Sequence, residues 1–215
     1  MKNPTAATTA SARQGANVRS ITVAAMLSAV AFVLMFLEVP IPMLIPSFIK
    51  LDISDLPALL GTFALGPVYG VGIELLKNLL HILLKGTTSA GVGELSNFAL
   101  GAVFTFTAGT IYKRNKSRKS AIIASLAGAA AMAVVCVPIN FFVVYPAYVT
   151  VYGMPLEAII GMYQAILPGN YGLLFCLVVF NLPFTLCKGL LDALLCWFIY
   201  KPLSPVLHGQ WGAQR

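Results

Sequence analysis

The 215-residue sequence predicts an all-α integral membrane protein with six transmembrane helices, both termini cytosolic, and an external proline-rich lid loop after the first helix. Three observations predict it. Hydrophobic residues make up 59% of the chain and charged residues 10%, where a soluble domain carries about 25% charged residues. Apolar runs long enough to cross a bilayer, about 20 residues each, recur along the chain and leave little of it for a soluble domain. Lys and Arg are also distributed unevenly. With the N-terminus inside, the inside segments hold Lys2, Arg13, Arg19, Lys113, Arg114, Lys116, Arg118, Lys119, Lys201 and Arg215, and the outside segments hold only Lys50 and Lys85. Short loops rich in Lys and Arg stay cytosolic, which fixes the expected orientation in the cell membrane. The net charge of +7 then follows from topology, and no nucleic-acid partner is needed to account for it.

Residues 1–19 are rich in Ala, Ser and Thr and read as a disordered cytosolic tail. A cleavable signal does not fit, because the apolar run from Ile21 to Leu37 is long and is followed by Glu38 and prolines. The membrane domain is expected over 20–201. Its first span covers Ser20 to Leu37, and a short second helix runs from Ser54 to the Gly66-Pro67 break. Further spans are expected over Val68–Leu84, Val92–Tyr112, Ser120–Val144 and Tyr171–Tyr200, with a surface helix near Pro155–Leu167 and a cytosolic tail over 202–215. The loop "EVPIPMLIPSFIKLDISDLP" is too apolar for a solvated loop, and its prolines at 40, 42, 46 and 57 forbid a helix. It is expected to fold back as a lid over the outer end of the bundle, because irregular backbone at membrane depth must be covered by protein.

Several polar groups interrupt the apolar spans. In "NLPFTLCKGLLDALL", Asn181, Lys188 and Asp192 fall within 20° of one helical face and Thr185 lies 40° away, at 100° per residue. Lys188 and Asp192, four apart, can pair, but such a pair leaves Asn181 and Thr185 unexplained. A charge at the bilayer centre costs about 3 kcal/mol, so this stripe reads as the wall of a site. In the third span, Glu74, Lys77, Asn78 and His81 form one polar edge that reads as structural. In the fourth, Gly93, Asn97, Gly101, Thr105 and Gly109 recur every four residues, a small-residue stripe for close helix contact. Glu94 and Asn97 on its first turn lie near the outer surface. Asn140, between Pro138 and the aromatics Phe141, Phe142, Tyr145 and Tyr148, suits a flat hydrogen-bonding ring system. Ala25 and Ala29 form a small-xxx-small stripe in the first span.

The chain has no phosphate-binding G-x-x-x-x-G-K-[ST] motif, no nucleophile-base set and no His or Cys at metal-ligand spacing. Its four cysteines lie in apolar segments and read as packing residues. Neither a metal nor a resident cofactor is expected. A polar pocket with no energy source in the same chain suggests a binding subunit driven by partners.

The segments "LDISDLPALLGTFALGPVYGVGIELLKNLLHILL", "GVGELSNFALGAVF" and "NLPFTLCKGLLDALL" resemble the substrate-binding S components of energy-coupling factor (ECF) vitamin transporters, and within them the riboflavin-specific branch. The resemblance covers nearly all of Ile21 to Tyr200. It implies a subunit that is not an enzyme. Such a subunit captures riboflavin outside and docks through Ala25 and Ala29 on a transmembrane T component bound to two ATPases. The D-x-S-D-x-P-A-L-x-G segment adds Asp52 to the expected ligand-binding residues. The family's pocket asparagine and lysine correspond to Asn140 and Lys188. Where the family often has an amide or acid one turn before that lysine, this chain has the shorter Thr185. Riboflavin's ring body would meet Leu44, Ile45 and Phe48 of the lid and Tyr145; its uracil-like edge would meet Asn140, Asn181 and Lys188. The polyol would meet Glu94 and Asn97, and Asp192 would hold the lysine. The rival readings are an S component for another vitamin, a small membrane enzyme acting on lipids, and a membrane scaffold.

Overall fold

A computed structural model describes the backbone of residues 4–207 and the side chains of residues 18–199. Residues 1–3 and 208–215, including the end of the expected C-terminal tail, lie outside the described residues.

Helix α1 (Pro4–Met35) begins within the segment expected to be a disordered tail, before the Ser20 start read from the sequence. Ala6, Ala7, Ala10 and Ala12 are strong helix formers there. Its membrane-crossing part is Val18–Met35. The proline-rich segment that follows contains one small departure from the all-α expectation. Strands β1 (Val39–Pro40) and β2 (Lys50–Leu51) pair antiparallel, with Val39 opposite Leu51. Helix α2 (Asp55–Leu65) stops at Gly66, whose φ of 112° few other residues tolerate, and Pro67 opens α3 (Pro67–Leu84). Next come α4 (Val92–Arg114) and α5 (Arg118–Ile139), the latter capped by the Ser117 side chain.

Two spans contain a π-helical turn. Helix α5 passes through Asn140–Val144 into α6 (Tyr145–Thr150). After the short helix α7 (Leu156–Ile166), α8 (Leu173–Cys176) passes through Leu177–Asn181 into α9 (Leu182–Leu207). Pro138 and Pro183 each stand two residues from the asparagine of their turn. A proline lacks the N–H of the helical ladder, and such loosened turns accommodate an inserted residue. The sequence places the end of α9 at Tyr200; its backbone continues through Pro202, which removes one donor without ending the helix.

Among the described residues, five helical stretches are long and apolar enough to cross a membrane: Val18–Met35, Pro67–Leu84, Val92–Arg114, Arg118–Thr150 and Leu173–Ile199. Helix α2, expected as a further span, has 11 residues, about 16 Å at 1.5 Å per residue and half the hydrocarbon thickness. Apolar side chains such as Met26, Val33, Val134, Phe142 and Phe198 cover the outside of the bundle, as lipid contact requires.

The small-residue stripe of α4 packs as its spacing predicts. A Cβ on Gly101 would collide with the Glu74 carboxyl of α3, and one on Gly109 would lie 2.8 Å from Pro67. One apolar core, with Leu59, Phe63, Phe104 and Met132, fills the end where α4 meets α5. A second, with Ile45, Tyr145, Tyr148, Tyr163 and Leu177, lies beneath the proline-rich segment.

Candidate functional site

A cavity of about 600 Å³ opens between the proline-rich segment and the ends of α3, α4, α6 and α9. That volume is within the roughly 300–1,000 Å³ of small-molecule sites.

One wall is aromatic. Tyr145 and Tyr148, one turn apart on α6, both reach Phe48 of the proline-rich segment, with ring centroids 6.4 Å and 5.4 Å away. Ile45 is buried against the same tyrosines. The backbone turns at Ile41, whose carbonyl accepts from the amides of both Leu44 and Ile45. That turn sends Ile45 inward and leaves Leu44 61% exposed and outside the cavity lining, so Leu44 is not a wall residue as expected.

The lining also carries two amides, each placed by a π-helical turn. Asn140 and Asn181 are both buried and both line the cavity. The Asn181 Oδ1 accepts from the Tyr163 hydroxyl at 2.6 Å, and its Nδ2 donates to the Tyr145 hydroxyl at 3.1 Å. The two hydroxyls also bond each other, closing a triangle. Asn140 Nδ2 donates to Cys136 Sγ at 2.9 Å, and Thr185 Oγ1 donates to the same sulfur at 3.2 Å. Thr185 is thus a cavity-lining residue anchored to α5.

The charged floor differs from the sequence expectation. Lys188 does not pair with Asp192, whose two carboxyl oxygens have no hydrogen-bond partner. Its Nζ lies 3.1 Å from Asp52 Oδ2 and 3.1 Å from Asp55 Oδ2. Those two acids come from the approach to α2 and its first turn, so the lysine bonds across the bundle toward the cavity. Deeper in, the wholly buried Lys77 pairs with Asp55, donates to Ser54 Oγ at 2.9 Å and lies 2.7 Å from Glu74 Oε2. Of the third-span polar edge, Glu74, Lys77 and Asn78 lie off the cavity, in keeping with the structural reading, whereas His81 lines it. Burial alone would raise the Asp52 carboxyl, but the charges of Lys188 and Lys77 and the Ser54 amide, 2.8 Å away, hold it well below the usual carboxylate range.

The rim is a second charged layer. Glu38 Oε1 accepts from Lys50 of β2 and from Lys85 after α3, at 2.6 Å each, tying the proline-rich segment to the bundle. Burial favours the neutral Glu38, yet these two lysines outweigh it and lower its pKa. Glu94 sits 3.1 Å from His81 Nδ1 and accepts from Thr87 Oγ1 at 3.0 Å. Asn97 Nδ2 reaches Asp52 at 3.5 Å, so Glu94 and Asn97 both line the cavity as expected. Each rim or floor carboxylate is engaged by a basic or hydroxyl partner. The lining is thus close to charge-balanced and combines aromatic rings with amide and ammonium groups.

The family model for the ECF transporter substrate-specific component matches residues 19–200. The chain belongs to that family. The riboflavin transporter FmnP of Bacillus subtilis (strain 168) is 30% identical over 90% of this chain and 96% of its own. The riboflavin transporter RibU of Staphylococcus aureus (strain TCH60) is 37% identical, covering 89% of this chain and 93% of that protein. A solved S component of a bacterial ECF transporter superposes with a TM-score of 0.68 at 34% identity, covering 89% of this chain and 98% of that one.

In this S component the structure gathers ten of the residues singled out from sequence around one cavity: Ile45, Phe48, Asp52, Glu94, Asn97, Asn140, Tyr145, Asn181, Thr185 and Lys188. Ala25 and Ala29 lie elsewhere, exposed on the face of α1 turned away from the bundle, while Ser28 and Ala31 face inward. Asp55, Glu38, Tyr148 and Tyr163 were missed as site residues. Asp55 follows Asp52 by three residues, a spacing that puts two carboxyls at one helix start and could have revealed it. No local signal marks Tyr163, which acts through Asn181.

Proposed function

We propose that this S component captures riboflavin from outside the cell and delivers it inward after docking on an ECF T component with two ATPases. The supporting observation is the make-up of one cavity: Asn140, Asn181 and Lys188 bring amide and ammonium groups to the same lining as the Phe48, Tyr145 and Tyr148 rings. Riboflavin is neutral and planar, with a donor–acceptor edge and a polyol tail. Its ring body fits the aromatic wall, its edge the amides and lysine, and its polyol the hydroxyl and carboxylate groups of the rim near Glu94 and Asn97. A charge-balanced wall suits a neutral ligand better than an ionic one. The names of its relatives point the same way.

On this reading the chain has six membrane segments, with the short α2 entering from the outer side to half depth, and both termini cytosolic. The segment from Glu38 to Asp52 is the external lid, held shut by the Glu38 lysine pair. Ala25 and Ala29 are the docking stripe for the T component, since small residues let a partner helix approach closely. The chain binds and carries, and its partners hydrolyse ATP.

The test is the absorption spectrum of the detergent-purified protein after incubation with riboflavin and removal of free ligand. Retained flavin bands are expected. A protein that stays colourless contradicts the assignment.

A further inference from the structure

We propose that Asp192 carries a proton and that its charge state sets the direction in which Lys188 reaches. This builds on the riboflavin reading above, in which Lys188 is part of the ligand wall.

The starting point is a charge count among the described residues. Four carboxyl groups, Asp52, Asp55, Glu74 and Asp192, share the interior of the bundle with two ammonium groups, Lys77 and Lys188. If all were ionised, the cluster would hold two excess negative charges, with Asp52, Asp55 and Lys188 at the cavity and Glu74, Lys77 and Asp192 wholly buried behind them. Buried carboxylates without partners take up protons instead.

The geometry shows where one proton goes. Both lysines are committed elsewhere: Lys77 to Asp55 and Glu74, Lys188 to Asp52 and Asp55. Asp192 is 0% exposed, and neither of its oxygens has a hydrogen-bond partner. Lys188 stands four residues before it on the same helix, the spacing at which an ionised aspartate and a lysine attract. Yet Lys188 turns away, toward the cavity. A neutral Asp192 explains that choice, because it offers the ammonium no charge to compete with Asp52 and Asp55. The other excess charge lies with Glu74, 2.7 Å from Lys77.

The groups close enough to act on Asp192 come from three directions. They are Asp55 of α2 and Asp52 before it, Lys77 of α3, and Lys188 on α9 itself. Cys196, one turn further along α9, is buried there as well. Helix α5 packs against α9 with Ala129 and Met132 at Gly189, and brings Ser125 beside Ala193 and Cys196. Arg118 at its first turn is engaged with the Trp197 ring. No cation there offsets an ionised Asp192. Loss of its proton would therefore draw Lys188 down α9, away from Asp52 and the cavity wall. Asp192 does not line the cavity, so it acts as a positioning residue for Lys188.

The test uses the full-length protein and its Asp192→Asn variant in detergent, with two readouts. Asparagine copies the shape of the protonated acid and cannot ionise. Infrared spectra at neutral pH should show the carbonyl stretch of a protonated carboxylic acid, weakened in the variant and lost from the wild type as pH rises. Riboflavin affinity of the wild type should fall about tenfold or more over the pH range in which that band is lost, while the variant keeps the neutral-pH affinity throughout. The proposal is overturned if the variant already binds about tenfold more weakly at neutral pH, or if it retains the wild-type pH slope. The wild-type band is decisive even if the variant misfolds: no protonated-acid band at neutral pH rules out the proton. A wild type that binds no flavin at any pH contradicts the functional reading, and the infrared band still tells whether Asp192 is protonated.

Discussion

Lys188 and Asp52 are 136 positions apart in sequence and 3.1 Å apart in the structure, and their contact joins α9 to the base of the proline-rich segment. That ion pair, together with the equal 3.1 Å contact to Asp55, places the cation of the cavity wall, because the two acids pull the lysine across the bundle instead of along its own helix. It also links the floor of the cavity to the proline-rich segment that lines it.

Replacing Lys188 tests the wall directly. The Lys188→Ala variant should still insert into membranes but bind riboflavin roughly ten- to a hundredfold more weakly, the range expected for losing one hydrogen bond from a charged donor. Lys188→Met, which keeps most of the side-chain volume, should lose as much. Equilibrium titration of both variants checks this; unchanged affinity in either removes Lys188 from the wall.

The asparagine–tyrosine triangle should matter for folding as well as for binding. Asn181→Leu leaves the Tyr145 and Tyr163 hydroxyls without their amide partner in a buried site. A loss of about 1–3 kcal/mol is expected for stranding such groups, read as a lower thermal midpoint of the ligand-free protein. A midpoint equal to wild type would show that the triangle does not hold α6, α7 and α9 together.

Acid should loosen the proline-rich segment. Asp52 and Glu38 both have carboxyl pKa values lowered in the folded protein, each because its lysine partners outweigh burial. A lowered folded-state pKa stabilises above the unfolded value, about 4 for these groups, and that stabilisation is lost as pH falls through the folded-state value. Thermal midpoints should therefore be flat near neutrality and drop below pH of about 4. Glu38→Gln should make the drop shallower, and added salt should mimic the variant, because this rim pair is partly exposed. A profile that keeps its full slope in Glu38→Gln would place the acid-sensitive group elsewhere.

Docking and binding should separate. Ala25→Leu with Ala29→Leu adds bulk to the outward face of α1 and touches nothing in the cavity. Co-purification with the T component and ATPases should fail while riboflavin affinity stays at the wild-type level. A normal complex would contradict the assignment of this face.

Much of this was legible in the sequence because membranes impose simple rules. Span length and the stripe of Gly101 and Gly109 each follow from one local constraint, and the long spans were recognisable from their own residues. Asn140 and Asn181 stood out because an amide in an apolar run needs a reason. What the sequence could not show was partnership. The i,i+4 spacing of Lys188 and Asp192 suggested a pair that long-range ion pairing with Asp52 and Asp55 overrides. Leu44 and Ile45 are equally apolar, and only the turn at Ile41 decides which of them faces inward. The π-helical turns were invisible as well, since they depend on how a proline-loosened helix settles against its neighbours.

The most direct measurement is a fluorescence titration of riboflavin with the purified protein at neutral pH, run beside Asn140→Ala and Lys188→Ala. A saturable quench at one flavin per chain, weakened in both variants, is the result this account predicts. Flavin fluorescence that the wild-type protein leaves untouched would contradict it and assign the cavity to a different ligand.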